Sequence, residues 1–126
     1  MLATPDVAVV RQVNRFPPDD LWISSVALME VRLGLLISPV GRKRAAREAA
    51  FERLTGEIIR NRVAPFNAEA AEAAARLYAE RQTRGRVVGT ADTQIAGIAI
   101  ARRAAVCTRN VRHFEDAGVP VVNPWG

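Results

Sequence analysis

The stretch Thr90-Ala91-Asp92-Thr93-Gln94-Ile95-Ala96-Gly97-Ile98-Ala99-Ile100-Ala101-Arg102, followed by Ala104-Ala105-Val106-Cys107-Thr108-Arg109-Asn110, decides the fold. Ile95, Ile98, Ala99 and Arg102 recur at three- and four-residue steps, the period of a helix, and Thr90 stands where a side-chain cap is expected. Asp92 falls in the first turn, where the helix dipole favours negative charge. Ala104 to Thr108 then changes to a short run of small apolar residues, the mark of a buried strand. A helix feeding a buried strand is the repeating unit of a mainly parallel sheet.

Reading outward extends the alternation. Downstream, Val111 to Asp116 predicts a short helical turn ending near Gly118, and Val119 to Val122 a final strand. Upstream, Asn67 is placed to cap an alanine-rich helix running through Leu77 and Tyr78 to about Arg84, closed by Gly85. Val63-Ala64-Pro65-Phe66 reads as a short extended segment. Gly41 to Arg62 reads as one amphipathic helix with Ala46, Ala50, Phe51, Leu54 and Ile58 on its buried side. Further upstream, the turn Pro17-Pro18-Asp19-Asp20 leads into the β-prone run Leu21-Trp22-Ile23-Ser24-Ser25. Ser24 or Ser25 can then cap a helix whose Val26, Met29, Leu33 and Leu36 form an apolar stripe, with Glu30 near its start. The class is α/β.

Length and composition agree with a single folded domain over residues 1–126. Hydrophobic residues make up 49% and charged ones 25%, which excludes a disordered tail or a fibrous repeat. Charge-free stretches such as Leu21 to Met29 and Thr93 to Ala101 reach only about half of the ~20 residues a bilayer-spanning helix needs. The amino terminus shows no basic start of a secretion signal, and the single cysteine, Cys107, permits no internal disulfide. The expected compartment is the cytoplasm. The net charge is +5, and every basic residue but Lys43 is arginine. That positive field suits a polyanionic partner.

In a sheet of this kind functional residues collect beyond the carboxyl ends of the strands. Glu30, Asp92 and Asn110 satisfy that rule. Two of them are carboxylates, hard oxygen ligands suited to Mg²⁺ or Mn²⁺, ions that acidify a bound water and offset charge on a phosphate under attack. Each has a plainer reading as well. A carboxylate near a helix start is favoured by the dipole alone, and Asn110 between Arg109 and Val111 suits a turn.

The arrangement as a whole resembles a known family. Ile23-Ser24-Ser25-Val26-Ala27-Leu28-Met29-Glu30-Val31-Arg32-Leu33-Gly34 resembles the segment bearing the second acidic residue of PIN-domain ribonucleases. Thr90-Ala91-Asp92-Thr93-Gln94-Ile95-Ala96-Gly97 is similar to the segment with the third, and Cys107-Thr108-Arg109-Asn110-Val111-Arg112-His113-Phe114 to the block supplying the fourth polar position. Val119-Pro120-Val121-Val122-Asn123-Pro124-Trp125 is similar to the carboxyl terminus of the bacterial toxin branch, called VapC or FitB-like. The blocks occur in the family's order and cover the chain from about Pro5 to Gly126.

The resemblance implies a Rossmann-like, three-layer α/β/α fold and a metal-dependent endoribonuclease toxin that cuts structured RNA, often transfer RNA. It implies neutralisation by a small VapB-like antitoxin, contact with operator DNA only through that antitoxin, and a homodimer. By the same resemblance Glu30 and Asp92 would hold Mg²⁺ or Mn²⁺, Asn110 would bind or orient the metal or its water, and Thr108 would lend a hydroxyl at the margin. Arg86, Arg109 and Arg112 would contact RNA. The wider groups Arg81-Arg84-Arg86 and Arg102-Arg103-Arg109-Arg112 read equally as an RNA path or a solvated face. His113, the only histidine, is expected at the surface or against RNA without catalytic duty, Cys107 in the core, and Trp22 and Trp125 in core or dimer contacts.

The chain departs from the family pattern at its start. Family members open with a hydrophobic strand, central in the sheet, that ends in Leu-Asp-Thr-Asn or similar and supplies the first metal-binding aspartate. That strand is missing here, and Asp6 in Thr-Pro-Asp has no apolar run before it. The expected cause is a misassigned gene start and not decay, since the motifs from Ile23 onward are intact. Two classes of function follow: a VapC-type nuclease, and a non-catalytic truncated scaffold that dimerises or binds antitoxin. A helical DNA-binding module is weaker, because no helix-turn-helix spacing stands out and the basic residues are dispersed.

Overall fold

In the computed structural model of the protein, residues 21–123 are described. Strand β1 (Ile23–Ser24) runs directly into helix α1 (Ser25–Ile37). Ser24 is the cap: its hydroxyl accepts the Ala27 N–H at 2.9 Å, satisfying a donor the helix start leaves free. Ser25 does something else, accepting the Phe66 N–H at 3.0 Å and so tying the start of α1 to a distant segment.

The buried face of α1 holds Val26, Ala27 and Leu35, with Val31 packed against the core. The stripe expected to be buried divides. Val26 is inside, whereas Met29, Leu33 and Leu36 are 59%, 53% and 60% exposed. Ala27, Val31 and Leu35 form a second apolar row on the opposite side of the same helix, and it is this row that β1 directs inward. Periodicity alone could not choose between two apolar rows.

The single helix expected from Gly41 to Arg62 is also divided. Helix α2 (Arg42–Arg53) passes into a π-helical turn at Leu54–Ile58. Thr55 sits at the transition and donates its hydroxyl back to the Phe51 carbonyl at 3.1 Å, a local bond that competes with the regular helical ladder. Arg60 and Asn61 then take left-handed conformations, with φ of 54° and 58°, and end the helix. Phe51, Leu54 and Ile59 are buried, but Ala46 is exposed.

Strand β2 (Val63–Ala64) pairs in parallel with β1, Ile23 opposite Val63 and Ser24 opposite Ala64. Helix α3 (Ala68–Thr83) begins as expected, with Asn67 Oδ1 accepting the Ala70 N–H at 3.0 Å, and Gly85 turns the chain at φ 68°. Helix α4 (Thr90–Arg102) begins differently. Gly89 occupies the cap position without a side-chain bond, so Thr90 is not the cap. Thr93 instead donates its hydroxyl to the Gly89 carbonyl at 3.0 Å.

Helices α3 and α4 pack closely at Gly97. A Cβ there would lie 2.5 Å from the Ala70 carbonyl oxygen and 2.7 Å from the Ala74 Cβ, so only a hydrogen fits. Strand β3 (Val106–Cys107) pairs in parallel with β4 (Val121–Val122), and both are shorter than the apolar runs that predicted them. Among the described residues the two pairs β1–β2 and β3–β4 share no ladder. The core between strands and helices contains Ile23, Ile59, Ala64, Ile95, Ile98, Val106 and Phe114, each fully buried, and Cys107 lies in it as expected. Trp22 is partly buried under the Arg102 guanidinium, which sits 4.3 Å from its ring centre. The first strand of the family pattern, Asp6, the Pro17 to Asp20 turn and Trp125 lie outside the described residues. Among the described residues, no helix is long and apolar enough to cross a membrane.

Candidate active site

Two carboxylates remote in the sequence lie on helices that pack against each other, α1 and α4. Glu30 lies in the second turn of α1 and Asp92 in the first turn of α4. The Glu30 carboxyl is held above its ordinary 4.5 by withdrawal from water first and by the Asp92 charge second. Two like charges placed this way oppose each other until a cation is shared between them. Glu30 and Asp92 are accordingly the residues that could hold a divalent ion. Among the described residues no group of three or more His, Cys, Asp and Glu side chains is placed to hold a metal ion. A pair of carboxylates suits Mg²⁺, which keeps several of its waters and takes one or two carboxylates plus substrate phosphate.

A third side chain reaches this pair. His113 Nδ1 is hydrogen-bonded to Asp92 Oδ2, while the ring remains 45% exposed. His113, expected at the surface or against RNA without catalytic duty, is thus part-exposed and in contact with Asp92. The short turn after β3 carries His113, and the direction in which it points is set by tertiary packing that no local pattern reports.

Thr108 and Asn110 build the turn. Thr108 is buried, its N–H donates to the Val122 carbonyl at 2.9 Å, and its hydroxyl accepts the Asn110 N–H at 3.0 Å. Asn110 is exposed and stands before the 3₁₀ turn Val111–His113, where its carbonyl accepts the His113 N–H at 3.0 Å. Both residues thus shape the backbone that delivers His113 to Asp92.

Behind the pair lies a buried ionic cluster. Arg81, in the last turn of α3, is 2% exposed. Its Nη2 and Nε donate to Asp116 Oδ1 and Oδ2 at 2.7 and 2.9 Å, its Nη1 to Thr93 Oγ1 at 2.9 Å, and its Nη2 also to the His113 carbonyl at 2.6 Å. Arg81 therefore neither lines an RNA path nor belongs to a solvated face, because Asp116 draws it inward. Hydrogen bonds from Arg81 hold the Asp116 carboxyl below its ordinary 3.8, with the Arg81 and Arg86 charges acting in the same sense. Arg86 is one third exposed; its Nη2 donates to the Arg112 carbonyl and its Nε lies 3.5 Å from Asp116 Oδ2. Arg109 and Arg112 are exposed beside the same turn.

Comparison with known proteins points the same way. The PIN domain profile matches residues 4–119. The VapC ribonuclease Y4jK of Sinorhizobium fredii (strain NBRC 101917 / NGR234) is 36% identical, over 98% of this chain and 88% of the relative. The tRNA(fMet)-specific endonuclease VapC of Shigella flexneri is 32% identical, over 94% of this chain and 85% of the relative. Among solved structures, the crystal structure of DNA-bound VapBC from Salmonella typhimurium superposes with a TM-score of 0.71 at 30% identity, covering 95% of this chain and 86% of that one.

Proposed function

The chain belongs to the PIN domain family, and from that premise we propose that it is a VapC-type endoribonuclease toxin that hydrolyses a phosphodiester in RNA with Mg²⁺ or Mn²⁺. The observation that supports this reading is that α1 and α4 pack together so that the Asp92 charge acts on the Glu30 carboxyl. When bound there, a divalent ion supplies an acidified water and offsets charge on the phosphate. Glu30 and Asp92 would hold it. His113 would fix the Asp92 carboxylate through Oδ2, and the turn made by Thr108 and Asn110 would keep His113 in reach. Arg109 and Arg112, exposed beside the same turn, are suited to phosphates of the RNA, which they would position without reading sequence. Arg86 would act mainly through the loop it binds.

Transfer RNA is the first substrate to try, because a relative is named for cutting one. The proposed partner is a small antitoxin encoded beside the toxin, through which the complex would reach operator DNA, since VapBC of S. typhimurium is seen bound to DNA. The outward row Met29, Leu33 and Leu36, continued by Ile37 at 76% and Val40 at 89% exposure, supports a protein partner, as apolar side chains grouped in this way mark interaction surfaces. The same row also supports the second reading, a scaffold that dimerises or binds antitoxin without cleaving.

Incubation of transfer RNA with the protein and Mg²⁺ or Mn²⁺ separates the two readings. The nuclease reading predicts metal-dependent cleavage that disappears in Glu30→Gln and Asp92→Asn. Cleavage that persists in Asp92→Asn removes the proposed centre, and antitoxin binding without any cleavage favours the scaffold.

A further inference from the structure

We propose that Arg81 is the positioning residue of the acidic centre: from inside the protein it ties the start of α4 to the turn that carries His113, and so holds His113 against Asp92. The inference rests on the reading of Glu30 and Asp92 as a cation site, but its geometry does not depend on a bound ion.

The argument begins with which atoms the guanidinium binds. Nη1 reaches Thr93, the residue immediately after Asp92. Nη2 reaches the carbonyl of His113, the residue whose ring meets Asp92. Each member of the Asp92–His113 contact is therefore joined, directly or through its chain neighbour, to one rigid planar group. Nε and Nη2 are also paired with both oxygens of Asp116, three residues beyond His113, which fixes the tilt of the plane. A lysine ammonium offers a single point of attachment and cannot hold three segments at set angles.

The burial of this cluster strengthens the inference. A charge that is 2% exposed is tolerated because Asp116, 12% exposed, neutralises it. An apolar pair of the same volume would fill the space equally well, so packing does not call for an ion pair here. What the fork adds is direction: it sets α4 against the loop so that two side chains on its far side meet. Arg86 reinforces the loop through the Arg112 carbonyl and Asp116. Arg81 itself touches neither Glu30 nor the Asp92 carboxylate in any contact that defines the centre, so its action is through Thr93 and the His113 backbone.

Because His113 is the only histidine, its imidazole resonances in a ¹⁵N–¹H spectrum of the full metal-free chain report the Asp92 contact without ambiguity. The Asp92→Ala variant gives the reference position for a ring without that contact. Arg81→Lys and Arg81→Met, verified as folded by circular dichroism, are expected to move the His113 ring signals to that reference. They are also expected to weaken Mn²⁺ binding in calorimetry by ~10- to 100-fold, the usual effect of removing a group that orients a ligand. The same variants should lower kcat for RNA and leave KM nearly unchanged. A folded Arg81 variant with wild-type His113 signals overturns the proposal. If neither Arg81 variant folds, Asp116→Asn decides: moved signals support the tie and unmoved signals overturn it. Should the signals move while the wild-type chain binds no Mn²⁺, the positioning role of Arg81 stands and the metal reading falls. Should Mn²⁺ bind while the signals stay, the reverse holds.

Discussion

Two charged clusters adjoin the Asp92–His113 contact, and they are built on opposite electrostatic plans. The inner one, Arg81 with Asp116, is buried, of opposite sign and bonded at both carboxylate oxygens. The outer one, Glu30 with Asp92, sets like charges near each other close to water, and the Asp92 charge helps to hold back the ionisation of the Glu30 carboxyl. The first is complete as folded. The second, on the reading proposed, would gain from an added cation, which is the condition expected of a binding site and not of a structural bond.

The largest expected effect comes from breaking the complete cluster. Replacing only Arg81 or only Asp116 leaves a buried charge without its partner and should destabilise the fold by ~3–5 kcal/mol in urea unfolding. Replacing both, as Arg81→Met with Asp116→Leu, should recover much of that loss, because two apolar groups restore the balance. A double variant as unstable as the worse single one would show that the ion pair is needed for packing itself.

Cations sharpen the contrast from the other side. Mn²⁺ at about 100 times its dissociation constant should stabilise the wild-type protein by ~2.7 kcal/mol, through binding to the folded state alone. Glu30→Gln and Asp92→Asn should show little of this gain. Equal stabilisation of both variants would place the ion elsewhere.

Acidity separates the clusters in sign. The Asp116 carboxyl is held below 3.8 in the folded protein, so its contribution is complete above that value and is lost as pH falls through the lowered one. The Glu30 carboxyl is held above 4.5, so its contribution is complete below that value and is lost as pH rises through the raised one. Urea midpoints followed from neutral pH to below 3.8 should therefore lose the second dependence in Glu30→Gln and keep the first. The smallest effect is that of Glu30→Gln without metal at neutral pH, expected to lie within ~0.5 kcal/mol of wild type or slightly above it, as for other substitutions near the surface.

Much of this arrangement was legible in the sequence wherever a local rule governs. Asn67 and Ser24 cap helices because a short polar side chain before a helical run has a donor within reach. Asp92 was placed in a helix's first turn, and Glu30 early in another helix, by periodicity alone. The parallel pairing of short strands followed from their alternation with helices. What could not be read depends on which surfaces meet. The row Met29, Leu33 and Leu36 repeats as well as the row Ala27, Val31 and Leu35, and only the tertiary packing turns one inward. Thr55 diverts a helix through a bond that its neighbours allow but do not require. Arg81 resembles every other arginine in the chain until Asp116 is brought to it from 35 residues away. The same distance problem hid the approach of His113 to Asp92.

Calorimetric titration of Mn²⁺ into the wild-type chain, Glu30→Gln and Asp92→Asn addresses the shared-ion reading with no assumption about the RNA. Saturable binding in the wild type that is abolished or greatly weakened by either substitution is the expected result. No binding in the wild type, or binding that neither substitution alters, contradicts the account.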